Sequence, residues 1–315
     1  MHSKTILITG AAGFAGSFLI ERLGATHPIV GWFKPDTPRP RETPGVEWMP
    51  VELVDRDAVE AAIAAVVPAE IYHLAGAPSV ETSWVNSVPH MEINALGTHY
   101  LLRAVERAKR PCRVLVVTSA QVYQVGSDPI REDAPLVPSS PYGLTKLAQD
   151  QLALQAASDG LDVVVARPFN HIGPRQTPGF AVASFARQVA RIEAGLEPPV
   201  MRVGNLDTRR DMTDVRDVAD AYVRIMAAGL AGRAYNVCSG RAPRMSDLLE
   251  RLRALAAVTI TIETDPARLR PNDVPVVEGD ATRLRSELGW VPRFDLDQTL
   301  RETLDWWRAE VRAGT

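Results

Sequence analysis

The sequence predicts an α/β protein built on a doubly wound parallel sheet, with a smaller C-terminal α/β lobe. Three observations carry that reading. The first half of the chain alternates short β-branched runs with helical patterns, which is the rhythm of strand–helix–strand units. Each run is nearly all apolar, as expected for strands buried on both faces. The first of these runs leads directly into a glycine-rich turn that opens a helix, Thr9-Gly10-Ala11-Ala12-Gly13-Phe14-Ala15-Gly16.

Strands are expected at 5–9, 28–33, 46–51, 70–74, 113–119 and 162–166, with helical stretches at 14–24, 56–66, 88–109 and 142–158 between them. Right-handed crossovers turn this order into a doubly wound sheet. The segment 35–45 holds four prolines and reads as a surface loop. After about residue 170 the elements become shorter and less regular, with helices expected at 178–194, 214–229, 246–257 and 297–312. Residues 1–170 are therefore expected to form one domain, with some later chain crossing back to it. Residues 171–315 are expected to form mainly a second, substrate-binding lobe.

At 315 residues, 46% hydrophobic and 23% charged, the chain has the composition of an ordinary soluble protein. A net charge of −3 gives no electrostatic case for nucleic acid or a lipid surface. Its 35 basic residues include only four lysines, at 4, 34, 109 and 146, which makes each of these more informative. Two cysteines, Cys112 and Cys238, with no CxxC or Cys/His cluster, predict neither a disulfide framework nor a metal site. No apolar run approaches the ~20 residues of a membrane helix, and the first one enters the glycine turn directly, so it is a strand and not a signal peptide. The expected location is the cytoplasm.

The glycine turn has the makings of a phosphate loop. One glycine permits the tight turn, another lets the backbone approach a pyrophosphate, and a third allows close helix–strand packing. The helix N-terminus then presents N–H groups and a positive dipole end to the phosphates. The first domain is thus expected to be a Rossmann domain holding a dinucleotide. Enzymes selective for NAD place an acid near the end of the second strand, whereas this chain reads Val30-Gly31-Trp32-Phe33-Lys34. Lys34 suits a 2′-phosphate, so NADP(H) is favoured, with NAD(H) still open.

Tyr142 and Lys146 stand four residues apart on one helical face. A carbonyl that accepts hydride becomes an alkoxide and needs a proton donor within reach, which Tyr142 can supply. A cationic Lys146 alongside would lower the pKa of the phenol. Ser119, at the end of an apolar run, can donate a second hydrogen bond to the developing oxyanion. With the GxxGxxG spacing, and with Asn94 in Ile93-Asn94-Ala95-Leu96-Gly97-Thr98, these residues resemble the extended branch of the short-chain dehydrogenase/reductase superfamily. That resemblance implies that Asn94 fixes the local backbone and a relay water. It also implies that Leu74, Ala75 and Gly76 line the cofactor cleft, together with Glu52 and Leu53 after the third strand.

In the dehydratases of this branch a carboxylate near the Ser119 segment serves as base for water elimination. Here the segment reads Thr118-Ser119-Ala120-Gln121-Val122-Tyr123, and neither Ala120 nor Gln121 can take a carbon-bound proton. Keto reduction needs no such base.

Further on, Arg167-Pro168-Phe169-Asn170-His171-Ile172-Gly173-Pro174, the stretch from Val203 to Asp217, and Arg268-Leu269-Arg270-Pro271-Asn272-Asp273-Val274-Pro275 are similar to the bacterial GDP-6-deoxy-D-mannose reductases, sisters of the GDP-mannose 4,6-dehydratases. The resemblance covers nearly the whole chain. It implies that Asn170, Arg210 and Arg270 reach the diphosphate of a GDP-sugar, that Asp273 accepts from the ribose, and that His171 forms the cleft wall near the nicotinamide. Two departures stand out: the family's GPGQ is Gly173-Pro174-Arg175-Gln176 here, and the acid after the third strand is Glu52 where Asp is common.

The expected activity is NADPH-dependent reduction of the C4 keto group of a GDP-4-keto-6-deoxyhexose, giving a product of the GDP-6-deoxy-D-mannose (GDP-rhamnose) type. An epimerase or dehydratase on the same fold, and a catalytically silent NADP(H)-binding sensor or scaffold, are the alternatives at this stage. A homodimer or homotetramer is expected to form through the stretches 88–109 and 142–158, with Leu101, Leu102, Val105, Leu147, Leu152 and Leu154 on their exposed sides.

Overall fold

The computed structural model describes residues 4–24, 27–269 and 274–314. Its strands are β1 (Ile6–Thr9), β2 (Ile29–Phe33), β3 (Val46–Pro50), β4 (Glu70–His73), β5 (Arg113–Val117), β6 (Asp162–Pro168), β7 (Asn170–Ile172), β8 (Val200–Val203), β9 (Arg209–Arg210), β10 (Met212–Asp214), β11 (Ala234–Val237), β12 (Thr261–Thr264) and β13 (Val276–Val277). The helices are α1 (Phe14–Leu23), α2 (Arg56–Val66), α3 (Val80–Val85), α4 (Ser87–Met91), α5 (Gly97–Ala108), α6 (Pro141–Ser158), α7 (Ala181–Glu193), α8 (Val215–Ala228), α9 (Met245–Ala254), α10 (Thr282–Leu288) and α11 (Leu296–Arg312).

Among the described residues one parallel sheet of seven strands dominates, in the order β11-β6-β5-β4-β1-β2-β3. The chain therefore runs outward from β1 in one direction through β2 and β3, and in the other from β4. The switch between β1 and β4 opens a crevice at their carboxyl ends, where doubly wound folds bind ligands. The strand period of two divides the apolar residues between the faces. Ile6, Ile8, Leu115 and Val164 face α1 and α8 with Phe18, Leu19, Val218 and Trp290. Leu7, Ile71, Val114 and Val163 face α2, α5 and α6 with Ile63, Leu101, Val105 and Ala153. A third core joins α7, α9 and α11 through Phe185, Met201, Leu248, Leu304 and Trp307.

Two expected elements are divided in the structure. The helix over 88–109 is α4 and α5 joined by a π-turn at Glu92–Leu96. The strand expected to reach residue 119 leaves the ladder after Val117, because Ser119 caps a short 3-10 turn at Ala120–Val122 and accepts from the Gln121 N–H. The expectation that Leu101, Leu102 and Val105 lie on an exposed side is overturned: all three are buried. Their helix sits over the sheet, so its apolar stripe serves the core. Leu147, Leu152 and Leu154 are partly buried against the same layers.

A buried ion pair fastens α6 to the sheet. Arg167 on β6 grips Asp150 through two hydrogen bonds of 2.8 and 2.7 Å, and the Thr118 hydroxyl donates to the same carboxylate. Arg167 also donates to the Tyr123 hydroxyl, which in turn donates to Asn236 on β11. Removing one partner of such a pair leaves the other charge buried and uncompensated. Asp150→Ala is expected to cost about 3–5 kcal/mol of stability, read as a lowered midpoint in urea unfolding. A change below 1 kcal/mol would show that the pair is not a determinant of stability.

Candidate active site

The glycine turn before α1 is shaped by close packing. Gly10 has φ +68°, and a Cβ there would lie 2.7 Å from the Ala75 nitrogen. A Cβ on Gly16 would lie 2.4 Å from the Gly10 carbonyl oxygen. Gly13 is the exposed N-cap of α1; no side chain caps that helix, and its first turn holds no acid. The first N–H groups of α1 and the positive end of its dipole are thereby left for an anion at the sheet's switch point. A dinucleotide diphosphate fits this donor set.

The other residues expected from sequence to meet a cofactor follow β2, β3 and β4, open α1 or lie on β7. Leu74, Ala75 and Gly76 follow β4, and Leu74 and Ala75 are tied back to Thr9 by backbone N–H donation to its carbonyl and its hydroxyl. Lys34 is exposed just past β2. Beyond β3, Glu52 accepts from the Val54 N–H, while Leu53 is buried against Gly97. Phe14 stacks on His171 with ring centres 5.7 Å apart and planes within 9°. Ala15 beside it is partly buried. His171 lies within reach of the Phe169 carbonyl through Nδ1, and burial lowers its pKa. It thus packs β7 against the first turn of α1.

Ser119, Tyr142 and Lys146 come together, all buried, at the carboxyl end of β5. Ser140 caps α6 and Pro141 opens it, so Tyr142 sits in the first turn. A Cβ on Gly143 would lie 2.5 Å from the Gln121 carbonyl oxygen, and this close approach brings Tyr142 up to Ser119. Burial pushes the phenol up to about 12, opposed by its hydrogen bond with Ser119. Burial also brings the Lys146 ammonium down to about 7.

The lysine also has acceptors that the sequence did not indicate. Its Nζ donates to the Val117 carbonyl at 3.2 Å and to Gln149 Oε1 at 2.7 Å. A buried ammonium is a pure donor and takes the acceptors nearest to it.

Asn94 lies in the π-turn, fully buried. Its Oδ1 accepts from the Ala77 N–H at 2.8 Å, and its Nδ2 donates to the Ala77 carbonyl and to Thr145 Oγ1. Beneath it, His73 bridges Thr9 and Thr98 at 2.7 and 2.8 Å. Further along the chain, Asn170 is exposed on β7 and Arg210 half-buried on β9, its guanidinium donating to the Arg209 carbonyl. The neighbouring Asp211 is fully buried and accepts from Ser239, Gly240 and Gly279. Arg270 and Asp273 lie outside the described residues.

This geometry has relatives. A family model described as GDP-mannose 4,6 dehydratase matches residues 7–303. The chain belongs to the GDP-mannose 4,6 dehydratase family. It is 36% identical over 314 residues to the GDP-6-deoxy-D-mannose reductase of Pseudomonas aeruginosa, covering 98% of this chain and 99% of that one. It is 33% identical to a UDP-glucose 4-epimerase of Azospirillum brasilense, covering 98% and 93%. The solved structure of RMD from Pseudomonas aeruginosa complexed with NADPH superposes with a TM-score of 0.84 at 34% identity, covering 98% of this chain and all of that one.

Within this member of the GDP-mannose 4,6 dehydratase family, sequence reasoning passed over Thr9, Thr98, Thr145 and Gln149. Thr145 and Gln149 lie three residues after Tyr142 and Lys146 respectively, so helical spacing alone puts each pair on one face. Thr9 and Thr98 carry no comparable local signal.

Burial holds the His73 pKa down at about 3, below the value near 6.5 of an unfolded chain. Between those values the unfolded state binds one more proton than the native state, so stability falls as pH falls. The slope attributable to His73 is about 1.4 kcal/mol per pH unit. Urea unfolding of the wild type and His73→Asn between pH 4 and 6 measures it. The substitution should flatten the slope by about that amount, and equal slopes would mean His73 is protonated in the folded protein.

Proposed function

We propose that this chain is an NADPH-dependent reductase of the C4 keto group of a GDP-4-keto-6-deoxyhexose, forming a GDP-6-deoxy-D-mannose (GDP-rhamnose) type product. The observation that carries the proposal is the buried grouping of Ser119, Tyr142 and Lys146 beside Ala120 and Gln121. It supplies a proton donor and an oxyanion partner, with no carboxylate in the segment where a dehydratase has its base.

The α1 N-terminus with Gly10, Gly13 and Gly16 would hold the diphosphate of the cofactor, and Lys34 its 2′-phosphate. Glu52 and Leu53 would border the adenine, and Leu74, Ala75, Gly76, Phe14, Ala15 and His171 the rest of the cleft. Bound NADPH supplies the hydride. Tyr142 gives its proton to the carbonyl oxygen as negative charge develops there, and Ser119 donates a hydrogen bond to the same oxygen. A phenol with pKa near 12 is protonated at neutral pH, which is the form that reduction requires. Asn94 positions Thr145 and the Ala77 backbone around the pair. Asn170, Arg210 and Arg270 would bind the substrate diphosphate, since a guanidinium forks onto phosphate oxygens. Asp273 would accept from the ribose.

The likeness to the Pseudomonas reductase, and the NADPH in the related structure, support this choice of substrate and cofactor. NAD(H) remains the alternative cofactor. A 4-epimerase or dehydratase is the competing reading, favoured only by the relationship to such enzymes. The same reading has residues 1–170 as the cofactor domain and 171–315 as mainly the substrate lobe, working in the cytoplasm as a homodimer or homotetramer. The apolar side chains exposed at Leu96, just before α5, and at Leu144, on α6, support association of these two helices.

Three outcomes test the reading. Tyr142→Phe should leave NADPH binding nearly intact while turnover falls about 10²–10⁴-fold, and a loss under tenfold would overturn the assignment. Lys34→Ala should raise the Kd of NADPH more than that of NADH, because only NADPH offers a 2′-phosphate; equal effects would move the cofactor to NAD. Purified enzyme with GDP-mannose alone should form no 4-keto-6-deoxy sugar, and its appearance by mass spectrometry would establish a dehydratase instead.

A further inference from the structure

Around Lys146 the direction of every hydrogen bond can be worked out, because the chain starts from a group that can only donate. Lys146 donates to Gln149 at 2.7 Å, so the oxygen of that amide faces the lysine and its nitrogen faces away. Gln149 Nε2 then donates to Thr98 Oγ1 at 2.9 Å. The Thr98 hydroxyl has a single proton, and it goes to the Asn94 carbonyl at 2.7 Å. His73 Nε2, 2.8 Å from the same oxygen, must therefore donate. Neutral His73 has no proton left for Nδ1, which accepts from the Thr9 hydroxyl at 2.7 Å. Thr9 Oγ1 accepts in turn from the Ala75 N–H at 3.1 Å. Turning the His73 tautomer over would take the Thr98 proton from the Asn94 carbonyl and leave the Thr9 hydroxyl without its acceptor.

We propose that Gln149 is a positioning residue for the proposed reaction, holding Lys146 charged and in place by tying its ammonium to the buried hydrogen-bond chain that reaches Thr9 beside the phosphate loop. The role rests on Tyr142 and Lys146 being the reacting pair, as proposed above. The Val117 carbonyl and the Gln149 amide are the acceptors the structure gives that ammonium. The charged form thus has no carboxylate to lean on. Asp150, the next residue along, is taken by Arg167 and Thr118. Of the other titratable groups packed around α6, His73 is neutral and Tyr142 protonated at neutral pH. His90 on α4 is engaged with Thr82 and Asn86. Glu81 on α3, Glu92 in the π-turn and His99 on α5 are exposed. A neutral amide is the acceptor that suits this place. It stabilises the ammonium without cancelling its charge.

The chain's low lysine count makes a direct test possible. Lys4, Lys34 and Lys109 are exposed and Lys146 is buried, so a protein labelled with ¹³C at lysine Cε shows one buried signal whose titration belongs to Lys146. In Gln149→Met the midpoint should fall by about one pH unit, the loss of one hydrogen bond to a charged group. In Gln149→Glu it should rise, because a carboxylate favours the ammonium. In the same two variants the pH profile of kcat should shift while KM changes little. Should the methionine variant fail to fold, Gln149→Asn, whose amide stands one methylene further back, should also lower the midpoint. An unchanged Lys146 titration in folded variants would overturn the role of Gln149. This measurement uses no substrate. A wild type that failed to oxidise NADPH with a GDP-4-keto-6-deoxyhexose would therefore count against the reductase reading, while the lysine titration would still judge Gln149.

Discussion

Taking an ammonium out of water costs several kcal/mol unless its protons find acceptors, and much of this fold is arranged around one that does. Lys146 finds the carbonyl of Val117, at the last position of β5, and the amide of Gln149, one turn further along its own helix. Both contacts require α6 to lie against the carboxyl end of β5. The same placement brings Tyr142 to Ser119 and sets Thr145 beneath Asn94. Gly143 permits that approach and the Asp150–Arg167 pair holds it. The charges and hydrogen bonds of the site are thus supported by the same helix-to-sheet contact that supplies part of the core.

A second constraint joins α1 to the loop after β7. The loop after β7 carries Arg175 with φ +72°, where the related pattern has glycine, which takes that conformation freely. Arg175 compensates for the unfavourable backbone with side-chain contacts. Its guanidinium lies 3.7 Å from the centre of the Phe18 ring and pairs with Glu21, both on α1. Next to it, Phe14 stacks on His171. The helix opened by the glycine turn is therefore in direct contact with the loop after β7. Position 175 is a departure in sequence but a consistent one in structure.

Much of the architecture was legible because it depends on local pattern. The expected strands at 5–9, 28–33, 46–51 and 70–74 agree with β1 to β4 to within a residue at each end, and the helices 56–66 and 142–158 agree as closely. Apolar runs bounded by turn residues report burial on both faces, and helical spacing reports a stripe, whatever lies opposite. The glycine turn was legible for the same reason, since a tight turn between strand and helix is a local requirement. The pairing of Tyr142 with Lys146 was legible as a helical neighbourhood. Which way each side chain turns was not, and the lysine's acceptors differ from the partner that spacing suggested.

The sequence by itself determined the order and type of the elements, the loop that presents N–H groups to an anion, and the residue types able to donate a proton and brace an oxyanion. Only the tertiary structure decided that Leu101, Leu102 and Val105 belong to the core and that Ser119 leaves its strand. It also decided that Asp150 is matched to Arg167 and that Lys146 is held by Gln149. Each of these outcomes depends on a face of one element meeting a face of another far away in the chain, as when Thr9 meets His73 or Gln149 meets Thr98. Periodicity says which residues share a face. The order of strands in the sheet, with its switch between β1 and β4, decides which faces meet.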